Sequence, residues 1–537
     1  MQKTIFYNAR ITTMDPALPK ACALLAEDGI IRAVYADDSW QQMKDSATDL
    51  VDLKQLALYP GLTDSHLHIL NWAVTSHELV LQDCASKQAM LDKIAAYALR
   101  FPEGTILDGR GFNEDLWPEK SLPTRQELDA VCPRHGLRLT RVCGHMMLGN
   151  SYLLRQMGIT KDSPVPFGGS MDWDKGIFCE NAEDMICPPG EPKTVEMCKA
   201  FLYEGMCHAA QSGLCAIYSD DIGTYGYDMH TVIRAYRELD REGKMPVRVV
   251  LQCALPTDAL FDEFLNAGYR YGQTTGRFTI GPRKLYIDGS LGARTALLSV
   301  PYADDASAKG VPIYTQEELN HHARRSHEAG MPFIVHAIGD LGAEMVLNAV
   351  EYARSTVPGT DSLLDGIVHC QITTPHTLQR IADLGVQVFA QPVFCEYDLH
   401  ICKDRVGAEL EKTSYNWKTL LDAGVCISSG SDCPVETLEP VKNIFCAVNR
   451  RDFDLQPASP WLPDQCLTAD EAVYCHTVQA ARSVEWQKIS GKIAPGFRAD
   501  FTLLDQPIDG VNPEEILHIN PVETWLDGKK VNEKAEA

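Results

Sequence analysis

Eight short runs of β-branched and apolar residues punctuate the middle of the chain, and most end in a polar or glycine-rich turn. They are Leu56–His68, Leu214–Asp220, Val247–Cys253, Lys284–Gly289, Pro332–His336, Gly366–Cys370, Val386–Gln391 and Gly424–Asp432. Apolar runs of this length bounded by turn signals predict buried strands. From the second to the eighth, the intervals hold segments of helical length, among them Met229–Glu242, Gln316–Gly330, Ala343–Ser355 and Pro375–Leu384. Strand alternating with helix is the pattern of a parallel sheet with crossover helices. Eight such units predict an α/β fold closed into a (β/α)8 barrel of TIM type.

The two ends of the chain break this pattern. Lys3–Tyr7 and Ile30–Tyr35 are β-like runs separated by turn signals at Asn8, Asp15–Pro16 and Asp28–Gly29, and Gly496–Asp505 and the stretch to Val531 read the same way. Residues 1–56 and 488–537 are expected to pair as one small β domain beside a barrel of residues 57–487. Within the barrel, residues 70–207 separate the first strand from the second, far more than one crossover helix needs. An unstructured loop of that length is rare, so an insert subdomain over the barrel mouth is expected there.

Composition narrows the class. A chain of 537 residues exceeds one ordinary core, and 45% hydrophobic with 23% charged residues describes a globular protein. The net charge of −24 excludes the basic surface that phosphate-backbone binding requires, so no nucleic-acid partner is expected. No apolar run reaches the roughly 18–20 residues of a membrane span, and Met1–Asn8 lacks the cationic start and apolar stretch of a secretory signal. The expectation is a cytoplasmic protein. Eighteen cysteines are scattered without a C-x-x-C pair, which reads as reduced thiols packed as small hydrophobes. Oligomeric state stays open, with a symmetric homodimer as the commonest arrangement.

The chemistry gathers at the strand ends. Asp64-Ser65-His66-Leu67-His68 closes the first run, and side chains at i and i+2 on a strand point the same way, so both imidazoles would face one point. His336 ends the fifth run, His369 the sixth, and Ser431-Asp432 the eighth. A closed barrel brings residues at these positions together at its C-terminal mouth. Imidazole with carboxylate suits Zn²⁺, Mn²⁺, Fe²⁺ or Ni²⁺, with zinc the default. Cys433 reads as a packed thiol beside Asp432. His327, His376, His400 and His476 lack a strand-end context, and His321–His322 reads as a solvated helix face.

Pro60-Gly61-Leu62, Asp64, His66, His68, His336, His369 and Ser431-Asp432, in this order and spacing, resemble the amidohydrolase superfamily. Cys143-Gly144-His145, Gly176–Glu180, Lys284–Ser290 and Gly491–Asp500 are similar to its YtcJ-like branch, amidohydrolase family 3, which includes N-substituted formamide deformylase. The resemblance implies that the terminal domain is a β-sandwich and that water attacks a C–N bond. It also implies that His66 and His68 hold a buried metal and His336 and His369 a more exposed one. Lys284 matches a lysine that carries a CO2-derived carboxyl group and bridges two metals in binuclear members. Asp432 contacts metal and serves as general base.

His145 and Glu180 in the insert are candidate substrate contacts. Arg294 is a third, and with Asp288 and Asp340 it is equally a candidate hydrogen-bond partner of the ligands. The expected activity is hydrolysis of an amide, N-formyl or cyclic amide bond of a small molecule, with one or two divalent ions as cofactor. Phe167, Trp173, Phe178 and Phe394 suggest room for a hydrophobic substituent. Other hydrolyses, isomerisation, decarboxylation or a non-catalytic binding role stay open on the same scaffold. Deamination is disfavoured, because Ala337-Ile338-Gly339-Asp340 follows His336 in place of a His-x-x-Glu element.

Overall fold

A computed structural model describes residues 3–531 apart from 115–116, 142–145, 167–168, 181 and 188–192, and of Glu180 the backbone alone. The chain forms two compact units, Ala73–Lys193 and the remainder.

The larger unit contains the barrel. Its strands are β1 (Leu62–Leu67), β2 (Leu214–Ser219), β3 (Arg248–Ala254), β4 (Phe278–Tyr286), β5 (Phe333–Ala337), β6 (Gly366–His369), β7 (Gln387–Ala390) and β8 (Ile427–Ser429). They pair in sequence order, and every pairing is parallel. The rim closes just past β8, where the Asp432 amide donates to the His66 carbonyl and the His68 amide to the Cys433 carbonyl, each at 2.8 Å.

Crossover helices α1 (Val195–Gln211), α2 (Met229–Arg241), α3 (Asp258–Asn266), α4 (Gln316–Glu328), α5 (Asp340–Thr356) and α6 (Pro375–Leu384) follow local signals. Thr194, Asp228, Thr257, Thr315 and Thr374 each accept a hydrogen bond from a backbone amide of the first turn. α4 adds a Thr315–Glu318 capping box, and α6 opens on Pro375 and stops at Gly385 in the left-handed region, φ 61°.

Alternation along the strands fills the interior in layers. Tyr218 on β2, Val250 on β3, Ile334 on β5, Val368 on β6 and Phe389 on β7 share one buried apolar cluster. Gln252 and His336 lie two residues further along their strands than Val250 and Ile334, so they belong to the next layer towards the mouth.

Two strands differ from the sequence reading. The run Leu56–His68 is two strands: Ala57–Pro60 pairs with Arg10–Thr12 and Phe501–Leu504, and only Leu62–Leu67 enters the barrel. Gly61 makes the break, and a Cβ there would fall 2.6 Å from the Cβ of Cys215. The fourth strand starts at Phe278, so Lys284 sits near its C-terminal end instead of its start. Gly281-Pro282 reads as a strand breaker, yet it lies opposite a register shift between Leu251 and Cys253, where ladder bonding is already interrupted.

The termini build two sheets. One orders Ile30–Tyr35, Ala23–Glu27, Lys3–Tyr7 and Thr48–Asp52, and the other runs from Lys529–Lys530 through Pro521–Leu526, Phe501–Leu504, Ala57–Pro60 and Arg10–Thr12 to Lys20–Ala21. Phe6, Leu24, Ile31, Leu58, Phe501 and Leu503 share a core between them, and Phe6 meets Phe501 and Trp525 edge-on at 5.0 and 5.1 Å.

The smaller unit has its own six-stranded sheet and its own apolar core. Phe178 is fully buried there against Leu153, Leu154 and Ile186, which makes it a core residue and removes it from the candidate pocket aromatics. Trp173 stacks under the Arg125 guanidinium. The described cysteines are all free, and no helix among the described residues is long and apolar enough to cross a membrane.

Candidate metal centre

His66 and His68 lie at the end of β1, and Asp432 follows β8, the strand that the rim bonds hold beside β1. Asp64 strengthens this seam: its carboxylate accepts from the amides of His66 and Ser431, at 3.1 Å each. As a result His66 Nε2 and His68 Nε2 stand 3.3 and 3.1 Å from Asp432 Oδ1. His336 and His369 complete the ring, with centroids 4.5 Å apart, and His369 lies 5.7 Å from His66.

Backbone conformation aims two of these groups. His369 and Asp432 have φ of 77° and 58°, left-handed values that cost an ordinary residue about 1–2 kcal/mol each. Val368 points into the barrel, so simple alternation would turn His369 outward. The left-handed turn redirects it to the mouth.

Hydrogen bonds fix the imidazole tautomers. Gln252 Nε2 donates to the Ser65 carbonyl at 3.0 Å, which leaves its Oε1 to accept from His66 Nδ1 at 2.5 Å. Gln391 repeats the device, donating to the Phe389 carbonyl at 2.9 Å and accepting from His369 Nδ1 at 2.7 Å. His68 Nδ1 donates to the Asp220 carbonyl at 2.8 Å. All three rings therefore turn Nε2 to the centre. His336 is reversed: its Nε2 donates to the Gly289 carbonyl at 3.2 Å, so its lone pair is on Nδ1.

Two ring nitrogens thus converge on Asp432 Oδ1, a buried oxygen with no other partner among the described residues. Nitrogen and carboxylate oxygen this close need a proton or a metal cation between them. Donors bound at about 2.0–2.2 Å to one tetrahedral ion sit roughly 3.3 Å apart, which matches the separations here. His66, His68 and Asp432 form a group able to hold a metal ion.

Lys284 reaches the same point from β4. It is fully buried, with Nζ 3.4 Å from His66 Nε2 and 3.5 Å from Asp220 Oδ2, and it lies 4.2 Å above the Tyr286 ring. Tyr286 in turn donates to Asp220.

Electrostatics follow from burial and these charges. Burial lowers the Lys284 ammonium against the pull of Asp220 and Asp432. Burial, then the Lys284 charge, lowers His66 and brings His336 down to about 4, and burial with neighbouring His336 holds His369 well below its ordinary value. Burial also opposes charge on His68, but Asp432 overrides it and pushes that ring up to about 9. Burial would raise Asp432, yet His66 and His68 hold its carboxyl well below the usual range. His66, His336 and His369 are poised as neutral lone-pair donors. The His68–Asp432 pair holds a proton where a cation would sit.

The other expected residues lie outside the histidine ring, with Asp288 Oδ1 3.5 Å from His336 Nε2. Arg294 pairs with Asp304 at 3.0 and 2.7 Å and contributes nothing to the ligand ring. Asp288 accepts from the amides of Leu297, Ile338 and Gly339, bracing the loop after His336. Asp340 caps the Ser299 amide. His145 and Phe167 lie outside the described residues, as does the side chain of Glu180. Sequence reasoning placed Asp64 in the motif without giving it a role, and it missed Asp220, Gln252, Tyr286 and Gln391. For Gln252 the available signal was an amide at inward parity after the apolar run Val249–Leu251.

Comparison with known proteins agrees with this geometry. The pattern of the amidohydrolase family (Amidohydro_3) matches residues 49–532. YtcJ of Bacillus subtilis (strain 168), a protein classed with the amidohydrolases, is 30% identical over 99% of this chain and 100% of its own. The N-substituted formamide deformylase of Arthrobacter pascens is 25% identical over 98% of both chains. An uncharacterized metal-dependent hydrolase from Pyrococcus horikoshii superimposes with a TM-score of 0.78 at 26% identity, over 95% of this chain and 99% of that one. With the eight-stranded barrel and its histidine-rich mouth, these likenesses make the chain a member of the amidohydrolase family.

Proposed function

We propose that the protein is a metal-dependent hydrolase that cleaves a C–N bond of a small molecule: an amide, an N-formyl group or a cyclic amide. The observation that carries this reading is the convergence of His66 Nε2 and His68 Nε2 on the buried Asp432 Oδ1. A divalent cation, zinc by default, would supply Lewis acidity at this point and make water nucleophilic near neutral pH.

The protein's own groups then divide the work. His66, His68, His336 and His369 hold the charge in place through tautomers set by Gln252, the Asp220 carbonyl, the Gly289 carbonyl and Gln391. Asp432 takes a proton from the attacking water and returns it to the leaving nitrogen, which is a poor leaving group until protonated. Lys284, lowered by burial, reacts as the neutral amine with CO2 and loses one proton to solvent. The resulting carbamate anion replaces a cation that would repel the metal site. The formamide-cleaving relative supports a C–N substrate over an ester.

The test is metal analysis of the purified protein, its chelated form, and the His66→Ala and His369→Ala variants, with hydrolysis of a panel of N-substituted formamides, simple amides, cyclic amides and esters. The reading expects turnover of a C–N member that is lost on chelation and restored by metal, with reduced metal content in both variants. Full metal stoichiometry and undiminished turnover in both variants would refute it.

A further inference from the structure

Beside the metal centre is a cavity of ≈ 190 Å³ walled by loops that follow β4 to β8, with Ile338, Gln371, Phe394, Tyr397, Asp398 and Glu436 in its lining. Phe394 joins it to the metal site, since its ring stacks on His369 at 5.8 Å and an interplanar angle of 14°. The apolar walls are ordinary for a small-molecule pocket. Its charged side chains are two carboxylates, Asp398 and Glu436, beside the neutral Ser290, Gln371 and Tyr397.

Gln371 is 1% exposed. Its Nε2 donates to Asp398 Oδ2 at 3.3 Å, and its Oε1 has no partner among the described residues. A buried amide oxygen left unsatisfied costs about 1–3 kcal/mol, so this atom awaits a donor. Tyr415 Oη also donates to Asp398 Oδ2, at 2.5 Å, so both of these hydrogen bonds fall on one oxygen of that carboxylate. Burial, and then the charges of Glu396, Asp398 and Asp432, push the Glu436 carboxyl up to about 7. Burial likewise brings Asp398 up to about 6.

Among the described residues, three basic side chains on these loops are committed elsewhere. His400 Nε2 is bound to Asp452 at 2.9 Å, and Arg294 and Arg405 both grip Asp304. A pocket with two carboxylates and a free buried amide oxygen, and with its basic neighbours occupied, is complementary to a cation rich in N–H donors.

We infer that this cavity receives an ammonium or guanidinium group of the substrate, with Glu436 and Asp398 as counter-ions and Gln371 Oε1 accepting one N–H. That the ligand is a substrate rests on the hydrolase reading above; the cation site itself does not. The enzyme would therefore favour amides that carry a positive charge away from the scissile bond.

The experiment is calorimetry on the metal-loaded protein with benzylammonium and with benzyl alcohol, in wild type, Glu436→Gln and Asp398→Asn. The cation is expected to bind at least about tenfold tighter than the alcohol, the lower end for hydrogen bonds to charged groups. Glu436→Gln should remove most of that preference. Equal binding of the two probes, or an unchanged preference in Glu436→Gln, would overturn the inference. Asp398 holds Tyr415 and Gln371, so its variant risks misfolding; the Glu436 variant decides in that event. Turnover of paired amides with and without a remote ammonium separates the two readings. Equal kcat/KM for both members would sink the charge preference and leave the hydrolase standing. Cation binding through Glu436 with no amide hydrolysed would do the reverse.

Discussion

Gly430 packs directly against the backbone of His66: a Cβ on Gly430 would lie 2.5 Å from the His66 amide nitrogen and 2.8 Å from Asp64 Oδ1. The contact is where the ends of β8 and β1 meet, so the same spacing sets both barrel closure and the distance from His66 to Asp432. Gly430→Ala is expected to destabilise the fold by about 1–3 kcal/mol, as overpacking does, and to lower metal content out of proportion to the loss of folded protein. Thermal melts with metal analysis of the soluble fraction check this. A variant with wild-type stability and full metal would show that the seam tolerates a shift.

Gln391 and Gln252 act through the imidazoles they orient. Gln391→Leu removes the acceptor for His369 Nδ1 while nearly keeping volume, and Gln252→Leu does the same for His66. Each should weaken metal affinity by about 10–100-fold, the usual effect of removing a partner behind a ligand, with the barrel still folded. Competition against a chromogenic chelator measures it. Unchanged affinity in both variants would mean that the rings are held by packing alone.

The convergence of His66, His68, His336, His369 and Asp432 was legible because a barrel gathers strand ends at one mouth, and all five stand at such ends. The geometry behind them was not. His369 reaches the centre only through a left-handed backbone at φ 77°, which no alternation rule predicts after an inward Val368. The cavity wall of Gln371, Asp398 and Glu436 comes from three loops whose paths depend on tertiary packing, and no local pattern marks them as neighbours. Likewise the Gly61 break was hidden in a continuous apolar run, since both halves are strands in different sheets.

Metal loading should release a proton. In the metal-free protein His68 is pushed up to about 9 by Asp432, so below that pH the ring is protonated and must lose its proton to become a ligand. His336, brought down to about 4, is already neutral at pH 6, and burial shifts His66 and His369 in the same direction. Close to one proton per ion is expected at pH 6, and apparent affinity should rise by about one log unit per pH unit until His68 deprotonates near pH 9. Titration calorimetry in two buffers of different ionisation enthalpy reads the count. A value of zero would remove the protonated His68–Asp432 pair.

Asp432→Asn separates holding the metal from moving the proton. Asparagine keeps an oxygen that can face His66 and His68 but cannot accept a proton from water. The expected result is at least about a 100-fold fall in kcat on an authentic substrate, the low end for positioned acid–base catalysis, with the fold retained. Near-normal turnover would take Asp432 out of the proton-transfer role.

Lys284 provides the sharpest chemical test. Its Nζ is buried between His66 and Asp220, too close to the metal position for an ammonium to remain without repulsion. An unmodified lysine has a pKa near 10.4, and burial lowers it here, which favours the neutral amine that attacks CO2. The carbamate would turn a cation into an anion able to bridge to a second ion beside His336 and His369. Protein loaded with metal in ¹³C-bicarbonate should show a carbamate carbon resonance and bind two ions, and Lys284→Met should lose the resonance and the second ion together. One ion per chain with no carbamate signal under saturating bicarbonate would leave Lys284 as the partner of Asp220 and the centre mononuclear.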